Sequence, residues 1–77
     1  MKVLRVYSRQ GCHLCDELIE ELRPLIDGKL TLEVRDIDTR RDWHERWFMD
    51  ITVVVFEGRV VWMHFLDQDA ITGILRG

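Results

Sequence analysis

The chain has 77 residues, of which 47% are hydrophobic and 32% are charged, and its formal net charge at pH 7 is −3. This length fits one domain with a small core, and the negative charge provides no general attraction to nucleic acid or anionic membranes. No apolar run approaches the roughly 20 residues of a membrane-spanning helix, and residues 1–10 lack the apolar core of a signal peptide. We therefore expect a single cytoplasmic domain over residues 1–77, a monomer without nucleic-acid or membrane partners.

The first half of the chain predicts a strand, a helix and a second strand. Residues 2–8, KVLRVYS, are β-branched and apolar enough for a strand. From Cys12 onward apolar residues recur at three- and four-residue spacing, which is typical of a helix with one buried stripe. Pro24 should kink this helix or end it early, and Gly28 should stop it. Residues 30–37 alternate between apolar and polar and predict the second strand.

A short helix and a buried strand are expected next. Asp38 or Thr39 would cap a helix that reaches about Phe48. Residues 51–56, ITVVVF, form a continuous β-branched run, which is typical of a strand buried on both faces. Four aromatic side chains are interpreted as packing residues of the core and the hairpin: Trp43, Trp47, Trp62 and Phe65.

The last part of the chain predicts a hairpin and a closing helix. Residues 57–59, EGR, should form a tight turn, and residues 60–65 should return as an antiparallel strand. A helix then begins at Asp67 or Asp69 and directs three residues toward the core: Ile71, Ile74 and Leu75. Since a strand–helix–strand unit makes a right-handed parallel crossover, this β-α-β-α-β-β-α order predicts a four-stranded mixed sheet with helices on both faces.

Both cysteines lie in one motif, GCHLCDE, where the first strand gives way to the first helix. Dithiol exchange needs an accessible thiolate and a second thiol nearby. Cys12 falls at the helix N-terminus, where the positive end of the helix dipole can lower a thiol pKa from about 8.5 to roughly 3.5–7.5. Cys15 falls on the buried stripe of the helix. We therefore predict that Cys12 is the nucleophile and Cys15 the resolving thiol. The alternative, two inert buried cysteines, explains neither the spacing nor the junction.

Charged neighbours would modulate the reactivity of Cys12. His13 lies one helical turn from Asp16 and Glu17, whose carboxylates favour an imidazolium that would stabilise a Cys12 thiolate. A solvated surface histidine without an electrostatic role is the other interpretation. Arg9 adds positive charge just before the motif, and because the two carboxylates oppose it, the sign of the net effect on Cys12 stays open.

The segment YSRQGCHLCD, followed by the β-α-β-β-α pattern, resembles the thioredoxin superfamily, and most closely its small glutaredoxin-like proteins with a C-x-L-C-[DE] motif. The resemblance implies an α/β thioredoxin-like fold and a thiol–disulfide oxidoreductase. Cys12 would be its attacking cysteine and Cys15 its resolving one. The implied partners are a disulfide-containing protein or small-thiol substrate and a thiol reductant, and no cofactor is expected.

The chain departs from this family at the start of the third strand. Family members carry a cis-proline there, facing the dithiol, whereas this chain has Thr52 after Ile51. A cis bond before a non-proline residue costs about 2.5–4 kcal/mol, so we expect a trans Ile51–Thr52 peptide. Ile51 and Thr52 remain the residues expected to meet a substrate strand.

A second departure concerns glutathione. Glutathione-binding relatives carry Gly-Gly followed by Asp before the last helix, whereas this chain has HFLDQDA over residues 64–70. Asp67 or Asp69 would receive the glutathione amine, but a helix cap is the favoured role. Arg40 and Arg41 would meet a glutathione carboxylate, but a solvated helix face is favoured. Glutathione is therefore only weakly supported as the reductant.

Two further functions stay open. One is a thioredoxin-fold binding module with little turnover, suggested by Thr52 and the absent glycine pair. The other is a dimer bridged by a metal ion or iron–sulfur cluster. Zinc prefers four ligands, yet His13 falls on the wrong helix face to join both cysteines, and His44 and His64 lack the spacing of a ligand pair. We therefore predict no metal ligands within one chain.

Overall fold

The computed structural model describes residues 1–76, and the predicted order of elements is confirmed. A 3-10 turn, not expected from the sequence, follows the second strand. In chain order the elements are β1 (Val3–Ser8), α1 (His13–Ile26), β2 (Thr31–Asp36), the 3-10 turn (Ile37–Thr39), α2 (Arg41–Trp47), β3 (Val53–Phe56), β4 (Arg59–Met63) and α3 (Gln68–Arg76).

The four strands form one mixed sheet in the order β2-β1-β3-β4. β1 pairs with β2 in parallel and with β3 antiparallel, so that Val6 lies opposite Val34 on one side and Val54 on the other. β4 pairs antiparallel with β3 through a turn at Glu57 and Gly58, both with positive φ, as two-residue hairpins require. The predicted parallel crossover and antiparallel hairpin are confirmed.

Two apolar clusters cover the two faces of the sheet. The larger joins α1 and α3 to the strands, and the smaller joins α2 to the opposite face. Adjacent residues Val53 and Val54 of β3 are both completely buried, one in each cluster. This confirms that β3 is buried on both sides. The helices hold the sheet between them, and the end of β1 leads directly into the cysteine motif.

Of the two effects predicted for Pro24 in α1, a kink or an early end, the early end is wrong. The helix does not end early, because it continues to Ile26, which is buried in the larger cluster. Pro24 lies in the last turn, so its missing N–H removes one hydrogen bond without interrupting the buried stripe. The predicted stop at Gly28, with φ +74°, is confirmed.

The start of α2 also differs, because neither Asp38 nor Thr39 caps it. The helix begins at Arg41 without a side-chain cap. The Asp36 carboxylate instead accepts the backbone N–H of Asp38 at 2.9 Å and caps the 3-10 turn. The Asp38 carboxylate contacts the side chains of Arg9 and His44, so it does not accept a backbone N–H at the start of α2.

The chain after β4 corrects one aromatic assignment. β4 ends at Met63, and His64 adopts a positive φ of 72°, after which Phe65 is 74% exposed. The expectation that Phe65 packs in the interior is therefore wrong, because the chain turns it outward. Asp67, rather than Asp69, caps α3 by accepting the N–H of Ala70 at 3.0 Å.

The remaining predictions for core residues are confirmed. In α3, Ile71 is buried, and Ile74 and Leu75 pack against the larger cluster. Trp47 and Trp62 are buried, and Trp43 packs against the smaller cluster. The cysteine motif lies at the junction between β1 and α1, next to the residues that precede β3.

Candidate active site

Cys12 occupies the N-cap position of α1. Gly11, with φ +80°, turns the chain after β1, and the Cys12 N–H donates to the Arg9 carbonyl at 3.2 Å. The backbone N–H of Cys15 donates to Cys12 Sγ at 3.2 Å. The sulfur therefore takes the role that a serine or aspartate oxygen has in other helix caps, at the positive end of the helix dipole.

Cys12 and Cys15 form a disulfide with a Cα–Cα distance of 5.2 Å. Cys12 is half-buried at the surface end of the pair, whereas Cys15 is completely buried. The asymmetry predicted from the helical stripe is therefore present. Cys12 is therefore the solvent-accessible cysteine of the pair, while Cys15 is shielded by protein.

Thr52 lies against the buried half of the disulfide. Its hydroxyl donates to Cys15 Sγ at 2.9 Å, its carbonyl accepts the N–H of His64 at 2.7 Å, and only 1% of the residue is exposed. The Ile51–Thr52 peptide is cis, so the expected trans peptide is wrong. The trans preference is a property of the dipeptide, whereas in the folded chain Thr52 contacts Cys15 of α1 and His64, which follows β4. Of the two expected substrate-binding residues, Thr52 meets the dithiol, and Ile51 packs in the smaller cluster.

His13 lies at the protein surface beside a carboxylate. It is 90% exposed, and its Nε2 lies 3.8 Å from Glu17 Oε1. The expected carboxylate neighbour is present, but an ion pair in this solvent-exposed position contributes little energy.

Arg9 is engaged by a carboxylate. Its Nε donates to Asp38 Oδ2 at 2.9 Å, and His44 Nδ1 lies 2.7 Å from Asp38 Oδ1. The hydrogen bond from His44, followed by that from Arg9, holds the pKa of Asp38 below its ordinary value. The charge of Arg9 is therefore shared with Asp38.

The contact between Arg9 and Asp38 was not predicted, although the sequence holds a signal for it. Ser8 and Asp36 are partners at the ends of parallel strands β1 and β2. Residues that follow these strands emerge at the same edge of the sheet, which brings Arg9 near the segment containing Asp38.

An exposed apolar patch lies beside the motif. Leu14, between the two cysteines, is 59% exposed. A shallow cleft of about 70 Å³ is lined by Leu14, Phe65 and Leu66, together with Glu17 and Glu21. Sequence reasoning missed this surface because it assigned Phe65 to packing.

The residues considered for glutathione have other partners. Arg40 donates to both carboxylate oxygens of Asp42 at 3.0 and 3.1 Å, and Arg41 lies 3.4 Å from Glu45. Asp67 is the cap of α3. Within residues 1–76, no group of three or more His, Cys, Asp or Glu side chains is arranged to hold a metal ion. No helix in the same part of the chain is long and apolar enough to cross a membrane.

Comparison with protein families assigns the chain. The sequence profile of the family described as "Glutaredoxin-like domain (DUF836)" matches residues 3–76. The chain belongs to this glutaredoxin-like family. A relative, "Glutaredoxin-like protein YDR286C homolog" from Dictyostelium discoideum, is 25% identical over 73 residues, covering 86% of this chain and 68% of the relative.

Solved structures agree with this assignment. The solution NMR structure of protein Ne2328 from Nitrosomonas europaea matches with a TM-score of 0.84 and 34% identity, over 95% of this chain and 89% of that one. Thioredoxin 1 from Thermosipho africanus matches with a TM-score of 0.59 and 10% identity, over 96% of this chain and 86% of that one, a likeness of fold alone. The thioredoxin-like fold and the resemblance to glutaredoxin-like proteins are confirmed.

Proposed function

We propose that this glutaredoxin-like chain is a thiol–disulfide oxidoreductase that uses Cys12 and Cys15. The observation that supports it is a disulfide between a half-buried cysteine at a helix N-cap and a completely buried partner. This arrangement gives the two sulfurs different access and different electrostatic surroundings. Both differences are what an attacking and a resolving thiol require.

In the reduced protein, the Cys12 thiolate attacks one sulfur of a substrate disulfide. A bond forms between Cys12 and that sulfur, and the other substrate sulfur leaves as a thiolate. Cys15, as a thiolate, then attacks Cys12 Sγ and releases the second substrate thiolate, which leaves the Cys12–Cys15 disulfide. A thiol reductant restores the dithiol by the same exchange in reverse.

We infer that the substrate is a disulfide in a polypeptide rather than glutathione. The apolar patch of Leu14 and Phe65 beside Cys12 suits contact with a substrate side chain. The basic residues considered for a glutathione carboxylate are engaged by Asp42 and Glu45. The same disulfide exchange would operate in the reducing cytoplasm, with a small or protein thiol as reductant.

The same exposed patch favours one alternative, a binding module with little turnover. Slow disulfide reduction combined with tight binding of a partner protein would identify that function. A third candidate, a dimer bridged by a metal ion or iron–sulfur cluster, would show colour or stoichiometric metal in the purified protein. A colourless, metal-free monomer would eliminate that third candidate.

The deciding experiment is the pH dependence of alkylation in the reduced protein, read at each cysteine by mass spectrometry. We expect Cys12 to react selectively, with a midpoint below the value of about 8.5 for an unperturbed thiol. The Cys15→Ser variant should accumulate a mixed disulfide with a model protein disulfide, whereas Cys12→Ser should form none. An ordinary midpoint at Cys12, together with no mixed disulfide, would contradict the proposed function.

A further inference from the structure

The contact between Thr52 and Cys15 is close and deeply buried. The Thr52 hydroxyl donates to Cys15 Sγ at 2.9 Å, and the two residues are 1% and 0% exposed. Thr52 is held independently of the sulfur, because its carbonyl accepts the backbone N–H of His64. The hydroxyl therefore donates to a reacting atom from a residue whose backbone has a hydrogen-bond partner of its own.

Few other buried polar side chains are available to stabilise a negative charge on Cys15. Within residues 1–76 the buried polar or charged residues are Ser8 and Thr52, so no carboxylate or ammonium group is buried beside the sulfur. In such a poorly solvated interior a single hydrogen bond to a charged atom has a larger effect than it would in water. Thr52 is thus the side chain placed to stabilise charge on Cys15.

Charge reaches Cys15 in a defined step. When an external thiolate attacks Cys12 Sγ, a bond forms to Cys12, the Cys12–Cys15 bond breaks, and its electron pair leaves on Cys15 Sγ. A thiolate is a much stronger hydrogen-bond acceptor than a disulfide sulfur, so a donor at this position stabilises the transition state more than the ground state. The reverse step, in which the Cys15 thiolate attacks Cys12, passes through the same transition state.

We propose that Thr52 is a catalytic residue whose hydroxyl stabilises the Cys15 thiolate as the Cys12–Cys15 disulfide opens and closes. The resemblance to glutaredoxin-like proteins leads one to expect a proline at this position. Proline has neither a hydroxyl nor an N–H to donate. The substitution of threonine therefore adds a chemical group to the site. This inference rests on the proposed redox function and assigns it one further residue.

The test compares Thr52→Val, which keeps the branched shape without the donor, with Thr52→Ser, which keeps the donor. The measured quantity is the rate of disulfide reduction by excess dithiothreitol, from acid-quenched samples alkylated and counted by mass spectrometry. We expect reduction to be about tenfold slower in Thr52→Val, the order of effect of losing one hydrogen bond to a developing charge, and within about threefold of wild type in Thr52→Ser.

A second measurement separates this role from a structural one. In the reduced proteins, NMR of labelled cysteine Cβ atoms follows the ionisation of each thiol with pH. Thr52→Val should move the Cys15 midpoint upward by about one pH unit, corresponding to the tenfold loss, and should move the Cys12 midpoint less. Circular dichroism confirms the fold of each variant. If Thr52→Val does not fold, Thr52→Pro provides the donor-free variant for both measurements.

The proposal is overturned if the donor-free variant is reduced as fast as wild type with an unchanged Cys15 midpoint. It is also overturned if Thr52→Ser is as slow as Thr52→Val. Both measurements use the protein's own disulfide and dithiothreitol, so they do not depend on the substrate. An ordinary Cys12 midpoint, together with failure of the Cys15→Ser variant to accumulate a mixed disulfide, would instead reject the proposed function, and the two failures are distinguishable.

Discussion

Two leucines of α1 provide a matched test of how the fold is stabilised. Leu22 is completely buried in the cluster between α1, α3 and the sheet, whereas Leu14 is exposed beside the cysteine motif. Replacing either residue with alanine removes the same atoms from the same helix. The change in intrinsic helix propensity is therefore nearly equal, and burial is the variable that differs.

The magnitudes expected for the two variants are far apart. Leu22→Ala removes buried methyl groups and leaves a cavity, which lowers the free energy of unfolding by about 2–5 kcal/mol. A domain of 77 residues is stable by about 4–12 kcal/mol in total, so this loss is a large fraction. Leu14→Ala should change the free energy of unfolding by less than about 0.5 kcal/mol.

Urea denaturation of the oxidised proteins, followed by circular dichroism, measures both changes. The slope of free energy against urea should be about equal in the two variants, since both expose the same surface on unfolding. The melting temperature should fall by roughly 8–40 °C in Leu22→Ala, at about 4–8 °C per kcal/mol for a loss of about 2–5 kcal/mol. A loss below about 1 kcal/mol in Leu22→Ala, or equal losses in both variants, would refute the assignment of the core.

Two further predictions concern the charged network and the end of α1. Asp38→Asn should lower stability at neutral pH, because His44 and Arg9 lower the pKa of the folded-state carboxyl, and the ionised form is the one stabilised. The difference in free energy of unfolding between Asp38→Asn and wild type should shrink as pH falls through that lowered pKa. A difference that does not change with pH in urea titrations would contradict the role of Arg9 and His44. Gly28→Ala, at φ +74°, should lose about 1–2 kcal/mol, whereas Gly73→Ala, inside α3 with equally open space, should gain about 0.5–1 kcal/mol. Equal effects of the two alanines in urea denaturation would show that backbone conformation does not decide the outcome.

Local periodicity predicted much of the fold because it reports burial directly. The continuous apolar run of β3 requires both faces to be covered, and Val53 and Val54 are buried in different clusters. The same reasoning placed Cys15 on the buried stripe of α1 and Cys12 at its exposed end. The prediction was wrong at Asp38 because one carboxylate had several possible partners. It binds Arg9 and His44 instead of capping α2.

The sequence by itself determined the order of the elements, the sites of the helix stops and the unequal access to the two cysteines. These features depend on neighbours within one or two helical turns, where spacing fixes geometry. Only the tertiary structure decided that Thr52 donates to Cys15 across 37 positions of sequence and that Phe65 turns outward next to Leu14. Such contacts depend on how the strands and helices are placed in space, and no local pattern of residues specifies that placement.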